Sequence, residues 1–255
     1  MTVSFDFSGK RVLVTGASRG IGFAIATAFA STGAELIILA EDDTVIAAAE
    51  SIPGKVHALV CDISDRTAVH KVLADIGELD VLINNAGIEL PTPLNGEYPK
   101  TDDTFEKIMA VNINGTHNIT RALVDKVKDG GRIILTSSIW GKTSVAEFSA
   151  YAASKHAIIG LARTWAMELG RRDITVNAVC PGWVKTDTAM ASLKKMSLSS
   201  GRSEAELEAE ISTAQAIPGV MVPEDITGLY LFLASSAAAN VTGQAINIDR
   251  GEVLV

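Results

Sequence analysis

The sequence predicts an α/β fold, a doubly wound parallel sheet of seven strands with helices on both faces. Three observations support this prediction. Short β-branched segments alternate with helical segments along the chain, which favours parallel strands joined by right-handed crossovers. The strand segments are apolar almost throughout, as expected when both faces of a sheet are covered. A glycine-rich segment, 14–22, lies between the first strand and the first helix.

The predicted elements follow one another in strict alternation at the start of the chain. Each strand is a short β-branched run, and the first helix ends at Gly33. The predicted strands are 11–16, 34–40, 55–62, 79–87, 131–138, 173–182 and 243–249. The predicted helices are 21–33, 43–52, 66–77, 103–130, one beginning at Ser149 as its N-cap, and 224–236. We interpret 1–255 as a single domain.

One segment, 185–217, breaks this alternation because it is long, polar and charged. A capping-box pattern predicts a helix that begins at Ser203. In a compact α/β domain an insertion of this length is typically a functional lid or a disordered segment. We interpret it as a substrate-binding loop.

The bulk composition excludes several classes of function. The chain has 255 residues, 47% of them hydrophobic, and a net charge of −8, which argues against a nucleic-acid or anionic-membrane surface. Cys61 and Cys180 lie in apolar runs and are expected to be buried thiols. The four histidines show no metal-ligand spacing, so no metal site is predicted. With no signal peptide and no apolar run of membrane-spanning length, we expect a cytoplasmic protein.

The glycine-rich segment VTGASRGIG, at 14–22, is a candidate nucleotide site. Such a turn brings backbone N–H groups close to a phosphate, and the positive end of the helix dipole lies beside it. The alternative is a tight turn whose glycines serve only the packing of the helix against the strand. Its position in the first strand–helix turn favours the phosphate-binding interpretation.

Glu41, at the end of the second predicted strand, bears on which nucleotide would bind. A carboxylate there accepts hydrogen bonds from both hydroxyls of the adenosine ribose and repels a 2′-phosphate. Arg19, within the glycine-rich turn, would instead favour a 2′-phosphate. Because one cation stands against the three carboxylates of 41–43, we expect NAD rather than NADP. Asp42 or Asp43 is expected to cap the next helix.

A series of further motifs follows in a recognisable order. They are TGASRGIG at 15–22, CD at 61–62, NNAG at 84–87, Asn112 in VNING, Ser138 in LTSS, YAASK at 151–155 and PGWVKT at 181–186. With these motifs the chain resembles the short-chain dehydrogenase/reductase family over essentially its whole length. The resemblance implies a Rossmann-type fold and an NAD(P)-dependent oxidoreductase.

The resemblance implies a catalytic set of Asn112, Ser138, Tyr151 and Lys155. Tyr151 would be the general acid/base, and Lys155, the oxidised nicotinamide and the helix N-terminus are expected to favour its phenolate. Lys155 would also hydrogen-bond the nicotinamide ribose. Ser138 would polarise the substrate oxygen, and Asn112 would support a water linked to Lys155.

The resemblance also implies a set of cofactor contacts. Asp62 would accept a hydrogen bond from the adenine amino group, and a backbone N–H near Val184 would hold the carboxamide. The whole set is Gly16, Ser18, Arg19, Gly20, Ile21, Gly22, Glu41, Asp62, Ile63, Asn85, Ala86, Gly87, Tyr151, Lys155, Pro181, Gly182, Val184 and Thr186.

The substrate side of the site is less specific. The substrate candidates are Ser138, Trp140, Glu147 and Trp183; Glu89, Ile139 and Phe148 also flank family motifs. We expect interconversion of a secondary alcohol and a ketone on a polyol, sugar or other small hydroxylated compound.

Two alternative functions remain open, an NADPH-dependent reductase of 3-oxoacyl thioesters on an acyl carrier protein and a non-catalytic nucleotide-sensing regulator. Family members are commonly homotetramers, so the resemblance implies that assembly, through the long helix at 105–127 and the Tyr151 helix.

Overall fold

The computed structural model describes residues 4–254, without the side chain of Ser199, and its centre is one seven-stranded sheet. The strands are β1 (Arg11–Thr15), β2 (Glu35–Ala40), β3 (Val56–Val60), β4 (Leu79–Asn84), β5 (Val127–Thr136), β6 (Thr175–Pro181) and β7 (Ala245–Ile248). Their order is β3-β2-β1-β4-β5-β6-β7, and every neighbouring pair is parallel. The predicted α/β class and parallel sheet are confirmed.

Helices cover both faces of this sheet. They are α1 (Gly20–Ser31), α2 (Thr44–Ser51), α3 (Arg66–Val72), α4 (Lys100–Met109), α5 (Thr116–Leu123), α6 (Ser149–Leu169), α7 (Asp187–Ser200), α8 (Glu204–Ala214) and α9 (Thr227–Ala234). On β1, Val12 and Val14 point into one apolar core with α1, α2 and α9. Leu13 points into a second core with α3, α5 and α6. Alternation of buried side chains between two covered faces explains the nearly continuous apolar strands.

The helix predicted at 103–130 ends earlier than expected. In the structure α4 begins at Lys100, a π-helical turn follows at Ala110–Gly115, and α5 ends at Leu123. Val127 belongs to β5, is fully buried and pairs with Leu79 of β4. Burial of Val127 in the sheet therefore outweighs the helix propensity of its neighbours, which are charged residues that suit a helix.

The helix that carries Tyr151 begins one residue earlier than a Ser149 cap would require. Phe148 occupies the N-cap position and Ser149 is the first helical residue. Thr92, which is distant in sequence, caps the helix instead: its hydroxyl accepts a hydrogen bond from the N–H of Ala150 at 3.0 Å. Ser149 in turn donates to the Thr92 carbonyl at 3.0 Å. The start of α6 is thus fixed by a tertiary contact.

The insertion 185–217 is helical. α7 begins after Thr186, whose hydroxyl accepts a hydrogen bond from the N–H of Ala189 at 3.1 Å. α7 ends at Ser200, and Gly201, which has a φ of +70°, caps its C-terminus. The predicted capping box of α8 is present, with reciprocal bonds between Ser203 and Glu206. The sequence predicted α8, whereas α7 was missed.

Other expectations can be compared with the part of the chain that the structure describes. Cys61 and Cys180 are free and buried, as expected. Across residues 4–254, no group of three or more His, Cys, Asp or Glu side chains could hold a metal ion. Within the same range, no helix has the length and apolar character needed to cross a membrane.

Candidate active site

A cleft of about 590 Å³ lies along the carboxyl ends of the strands. The chain order of the sheet reverses between β1 and β4, which is where ligands bind in open α/β sheets. Residues that directly follow β1, β2, β3, β4 and β5 all line it, together with the end of β6; they include Gly16, Glu41, Cys61, Asn85, Ser137 and Pro181. The topology therefore brings motifs from distant parts of the sequence to one place.

The glycine-rich turn packs tightly against the turn that follows β4, residues 85–87, called here the β4 turn. Gly16 has a φ of +65°, and a Cβ added there would lie 2.7 Å from the Cα of Ala86. A Cβ on Gly22 would lie 2.1 Å from the Gly16 carbonyl oxygen. The Asn85 side chain donates to the Thr15 and Gly16 carbonyls, each at 3.2 Å. These contacts leave no room for side chains at either glycine.

The N-terminus of α1 faces the cleft, and neither its cap nor its first turn carries a negative charge. Arg19, at the N-cap, makes no side-chain capping bond, and the first turn carries no acidic residue. Gly20, Ile21 and Gly22 line the cleft. The first N–H groups of a helix have no intrahelical acceptor and carry partial positive charge, so this end suits an anionic group.

Carboxylates follow the ends of β2 and β3. Glu41 is exposed and lines the cleft. Asp42 accepts hydrogen bonds from the backbone and hydroxyl of Thr44 at the start of α2, and these bonds lower the pKa of Asp42, with a smaller contribution from Arg19. Asp43 occupies the N-cap position of α2 without a side-chain capping bond, so the carboxylate that bonds the start of the helix is that of Asp42. The Asp62 carboxylate accepts from the backbone of Ser64 at 2.8 Å.

Ser138, Tyr151 and Lys155 converge on the cleft from β5 and α6. Lys155 is 4% exposed, its Nζ donates to the Thr136 carbonyl at 2.9 Å, and it lies 5.4 Å from the centre of the Tyr151 ring. Trp140 packs edge-on against Tyr151, with ring centres 5.9 Å apart. Spacing of four residues on one helix thus places the amine beside the phenol.

The protein's own groups raise the pKa of Tyr151. Burial is the largest cause, the negative charge of Glu89 adds to it, and a hydrogen bond with Ser138 opposes it. Burial lowers the pKa of Lys155 to about 8, and Glu89 opposes that shift. Among the groups that the chain supplies, burial outweighs the hydrogen bond that favours the phenolate, and the contribution expected from the oxidised nicotinamide stays a prediction.

Asn112 lies behind the cleft and does not line it, in contrast to the other residues of the predicted catalytic set. It sits in the π-helical turn, is 2% exposed, and is held by three hydrogen bonds. Its Oδ1 accepts from the N–H of Ile88 at 2.8 Å, and its Nδ2 donates to the Ile88 carbonyl and to Ser154 Oγ, each at 3.0 Å. Asn112 therefore fixes the chain that follows the β4 turn to α6.

Every residue of the cofactor set inferred from the resemblance lines the cleft, as do Trp140, Glu147 and Trp183. Glu147 is exposed, has a φ of +68°, and its carbonyl accepts from the N–H of Thr92 at 2.6 Å. The Thr186 hydroxyl already accepts a hydrogen bond as the cap of α7, which leaves it less capacity to accept one from a cofactor.

Several cleft residues lie outside the catalytic, cofactor and substrate sets predicted from the sequence. Glu89 comes shortly after the β4 turn, Ser192 and Ile211 come from α7 and α8, and Glu252 comes from the segment after β7. Of these residues, only Glu89 could be associated with the site from the sequence, because it lies two residues after the NNAG motif. The others reach the cleft because the insertion and the C-terminal segment fold over it.

Comparison with known proteins places the chain among oxidoreductases. A family model described as enoyl-(acyl carrier protein) reductase matches residues 16–252. A short-chain dehydrogenase/reductase of Armillaria gallica is 37% identical, over 96% of both chains. The 3-oxoacyl-[acyl-carrier-protein] reductase of Thermotoga maritima is 36% identical, over 96% of this chain and 98% of the relative. A D-beta-hydroxybutyrate dehydrogenase of Cupriavidus necator is 33% identical over the same shares.

Solved structures show the same architecture. A short-chain dehydrogenase/reductase of the glucose/ribitol dehydrogenase type from Brucella melitensis has a TM-score of 0.89 at 24% identity, and covers 99% of this chain and 100% of its own. A blue fluorescent protein from a metagenomic library, solved with NADPH, has a TM-score of 0.85 at 30% identity, over 98% of this chain and 100% of its own. The first likeness supports the fold alone, and the second extends over the whole sheet and cleft.

Proposed function

Because this chain belongs to the short-chain dehydrogenase/reductase family, we propose that it is an NAD(H)-dependent oxidoreductase that interconverts a secondary alcohol and a ketone. The observation that carries the proposal is the convergence of Tyr151, Lys155 and Ser138 on a cleft whose other end is the glycine-rich turn. We propose a polyol, sugar or other small hydroxylated compound as the substrate.

The cleft fits a nicotinamide dinucleotide by the chemistry of its groups. The uncapped N-terminus of α1 suits the pyrophosphate, and the absence of room for a Cβ at Gly16 and Gly22 keeps the backbone of the turn close to it. Lys155 has donors beyond the one bound to Thr136 and would hold the nicotinamide ribose. When bound, the cofactor supplies the hydride acceptor or donor.

The chain's own residues would manage the proton. Tyr151 would take the hydroxyl proton during oxidation and return it during reduction, while Ser138 holds the substrate oxygen. Since burial raises the pKa of Tyr151, positive charge next to the phenol is needed for it to act as a base, and Lys155 is the neighbouring side chain that carries such charge. A relay through a water at Asn112 stays a prediction; the support for it is the fixed position of Asn112 between Ile88 and Ser154.

NAD rather than NADP is proposed from Glu41. Its exposed carboxylate lines the cleft after β2, where it would accept hydrogen bonds from the adenosine ribose and repel a 2′-phosphate. Arg19 lies near the Asp42 carboxylate, which offsets its charge. Glu41→Gln should reduce the preference for NAD, measured as the ratio of kcat/KM for the two cofactors. A preference of wild type for NADPH of about tenfold or more would contradict the assignment.

A panel assay tests the proposed activity. The protein is incubated with NAD or NADP and a series of polyols, sugars and secondary alcohols, and with NADH or NADPH and the corresponding ketones, and the absorbance of reduced nicotinamide is followed. We expect turnover of at least one neutral secondary alcohol with NAD. Absence of turnover with every member, in both directions, would overturn the proposal.

A second candidate function is the NADPH-dependent reduction of a 3-oxoacyl thioester. The Thermotoga maritima relative favours it, and the family description names the same carrier protein with an enoyl substrate. The net charge of −8 speaks against docking of an acidic carrier protein. Reduction of acetoacetyl thioesters with NADPH at a kcat/KM above that of every alcohol and ketone in the panel would establish this alternative.

A homotetramer in the cytoplasm completes the proposal. Support for the assembly comes from apolar side chains exposed on the two helices named for the interface, Phe105 on α4 at 38% and Met167 on α6 at 86%. Exposed apolar groups on adjacent helices are typical of subunit contacts.

A further inference from the structure

Glu89 places a carboxylate at the catalytic end of the cleft. It follows Ile88, whose backbone N–H and carbonyl are both bound by the Asn112 side chain, so the direction of the chain at Glu89 is fixed. Its charge raises the pKa of Tyr151 and of Lys155, which shows that it lies within electrostatic reach of both. Glu89 is therefore a neighbour of the site where the substrate oxygen would react.

The contacts of Glu89 leave it with hydrogen-bonding capacity. It is partly buried, and Ser192 Oγ of α7 donates to its Oε1 over a long distance, 3.4 Å. Burial raises the pKa of Glu89, and Ser192 and Lys155 oppose that shift. A carboxylate has about four lone-pair positions, so one weak bond leaves most of them for a donor that enters the cleft.

The surrounding charges reinforce the effect of Glu89. Glu147, Asp187 and Glu252 also line the cleft, and Oε2 of Glu252 is buried without a hydrogen-bond partner. Among the lining residues that the structure describes, the cations are Arg19, at the glycine-rich turn, and Lys155, which is bound to Thr136. The cleft as a whole therefore offers more carboxylates than cations.

We infer that Glu89 is a specificity-determining residue, which accepts a hydrogen bond from a second, uncharged hydroxyl of the substrate and excludes substrates with a carboxylate in that position. The inference rests on the proposed function, because it assumes that the reacting oxygen is held by Ser138 and Tyr151. It would separate this chain from the Cupriavidus necator relative, whose named substrate, hydroxybutyrate, carries a carboxylate.

The expected specificity has a physical reason: next to the partly buried carboxylate of Glu89, a hydroxyl donor is attracted and an anion is repelled. A hydroxyl can donate to Glu89 and replace the weak bond from Ser192 with a charge-assisted one. A substrate carboxylate is acceptor-only, and like charges at short range in a partly desolvated site repel strongly. The cation at this end of the cleft among the described lining residues, Lys155, already stabilises the Glu89 carboxylate, so a substrate carboxylate would compete with Glu89 for it.

A matched substrate pair tests the inference. Butane-1,3-diol and 3-hydroxybutyrate share the secondary alcohol and differ in the terminal group, CH₂OH against carboxylate. At about pH 8, well above the ordinary pKa of a glutamate, wild type should favour the diol by about tenfold or more in kcat/KM. Glu89→Gln, which keeps the size and removes the charge, should reduce that ratio by about tenfold. Glu50→Gln, which removes a charge from the exposed end of α2, should leave the ratio unchanged.

Two results in turnover would overturn the inference: equal use of both compounds by wild type, or a loss in Glu89→Gln that affects both compounds equally. A complete absence of turnover would overturn the proposed function instead. The role of Glu89 in specificity is then tested by measuring ligand binding. In calorimetry with NADH present, wild type should bind 4-hydroxybutan-2-one about tenfold more tightly than acetoacetate, and Glu89→Gln should not. Equal binding of the two ketones by wild type, or binding of neither, would overturn the inference.

Discussion

Lys155 holds a side-chain amine in the interior of the protein, where 4% of its surface is exposed. Its amine donates to the Thr136 carbonyl and lies over the face of Tyr151. A hydrogen bond to a neutral carbonyl does not replace the hydration of an ammonium group, which is why burial lowers the pKa of Lys155 to about 8. The residue needed for proton transfer is therefore one that the fold accommodates at a cost.

This cost predicts a pH-dependent gain in stability for Lys155→Met. The folded pKa of about 8 lies below the unfolded value of about 10.4, so the unfolded chain binds more protons between these values and stability rises with pH across that window. Below pH 8 the full penalty is present. We expect Lys155→Met to raise the free energy of unfolding by about 1–3 kcal/mol at neutral pH and to lose activity.

Urea denaturation at about pH 7 and about pH 10 measures this effect. The advantage of Lys155→Met should shrink at the higher pH, where wild type also folds with a neutral amine. Lys71→Met, which changes an exposed lysine of α3, serves as the control and should change little at either pH. A variant less stable than wild type at neutral pH, or an advantage independent of pH, would contradict the account.

Individual residues differ in how far the sequence predicts them. Tyr151 and Lys155 were predicted because their spacing and motif are local, and Ser138 because its motif, LTSS, is part of the family resemblance. The place of Asn112 behind the cleft could not be predicted, since it depends on a π-helical turn that shifts the helix register. Ser192 and Glu252 were missed because only tertiary folding brings them to the cleft.

At the scale of elements, the glycine-rich turn was predicted best, because positions that have no room for a side chain are occupied by glycine and can be read from the sequence. Gly22→Ala should weaken NADH binding by about tenfold or more and destabilise the protein, since its Cβ would lie 2.1 Å from the Gly16 carbonyl oxygen and 2.5 Å from Asn85 Nδ2. Titration of NADH fluorescence measures the affinity. Gly228→Ala on α9, with no atom within 4 Å of the new Cβ, is the matched control and should bind NADH normally. Unchanged affinity in Gly22→Ala would be inconsistent with a cofactor at this turn.

The elements that were mispredicted share one cause. The long helix was extended to residue 130, and the start of α6 was assigned to a Ser149 cap, because both sequences suit those states locally. In the structure Val127 pairs with Leu79 in the sheet, and Thr92 caps α6 from a separate segment. Contacts between distant segments decided both boundaries, and periodicity within one segment does not contain them.

At the scale of the whole molecule, alternation of strands and helices was enough to predict a parallel sheet with both faces covered. The two apolar cores follow from the alternation of buried side chains along each strand. The sheet order then determines where the site lies, because the reversal between β1 and β4 opens a crevice at the carboxyl ends. Which side chains close that crevice depends on α7 and α8, and their packing was not predictable from polar composition.

The proposed assembly gives a prediction about Met167. Its side chain on α6 is 86% exposed, and an interface there would bury it. Wild type should show a mass near four times the 26.8 kDa of one chain in size-exclusion chromatography with light scattering. Met167→Glu should shift the protein to smaller species, whereas Leu94→Glu, on the exposed loop after β4, should not. Monomeric wild type at micromolar concentration would contradict the assembly.

The central claim is that Tyr151 moves the proton in an alcohol–ketone interconversion, and the turnover of Tyr151→Phe tests it most directly. With the best alcohol of the panel and NAD, kcat should fall by about 10³-fold, within the range of general acid–base catalysis. The affinity for NADH should stay within about twofold, because the phenyl ring keeps its packing against Trp140. Tyr98→Phe, which changes a tyrosine that is 81% exposed and outside the cleft, should keep full activity. A Tyr151→Phe variant with a kcat within about threefold of wild type would contradict the account.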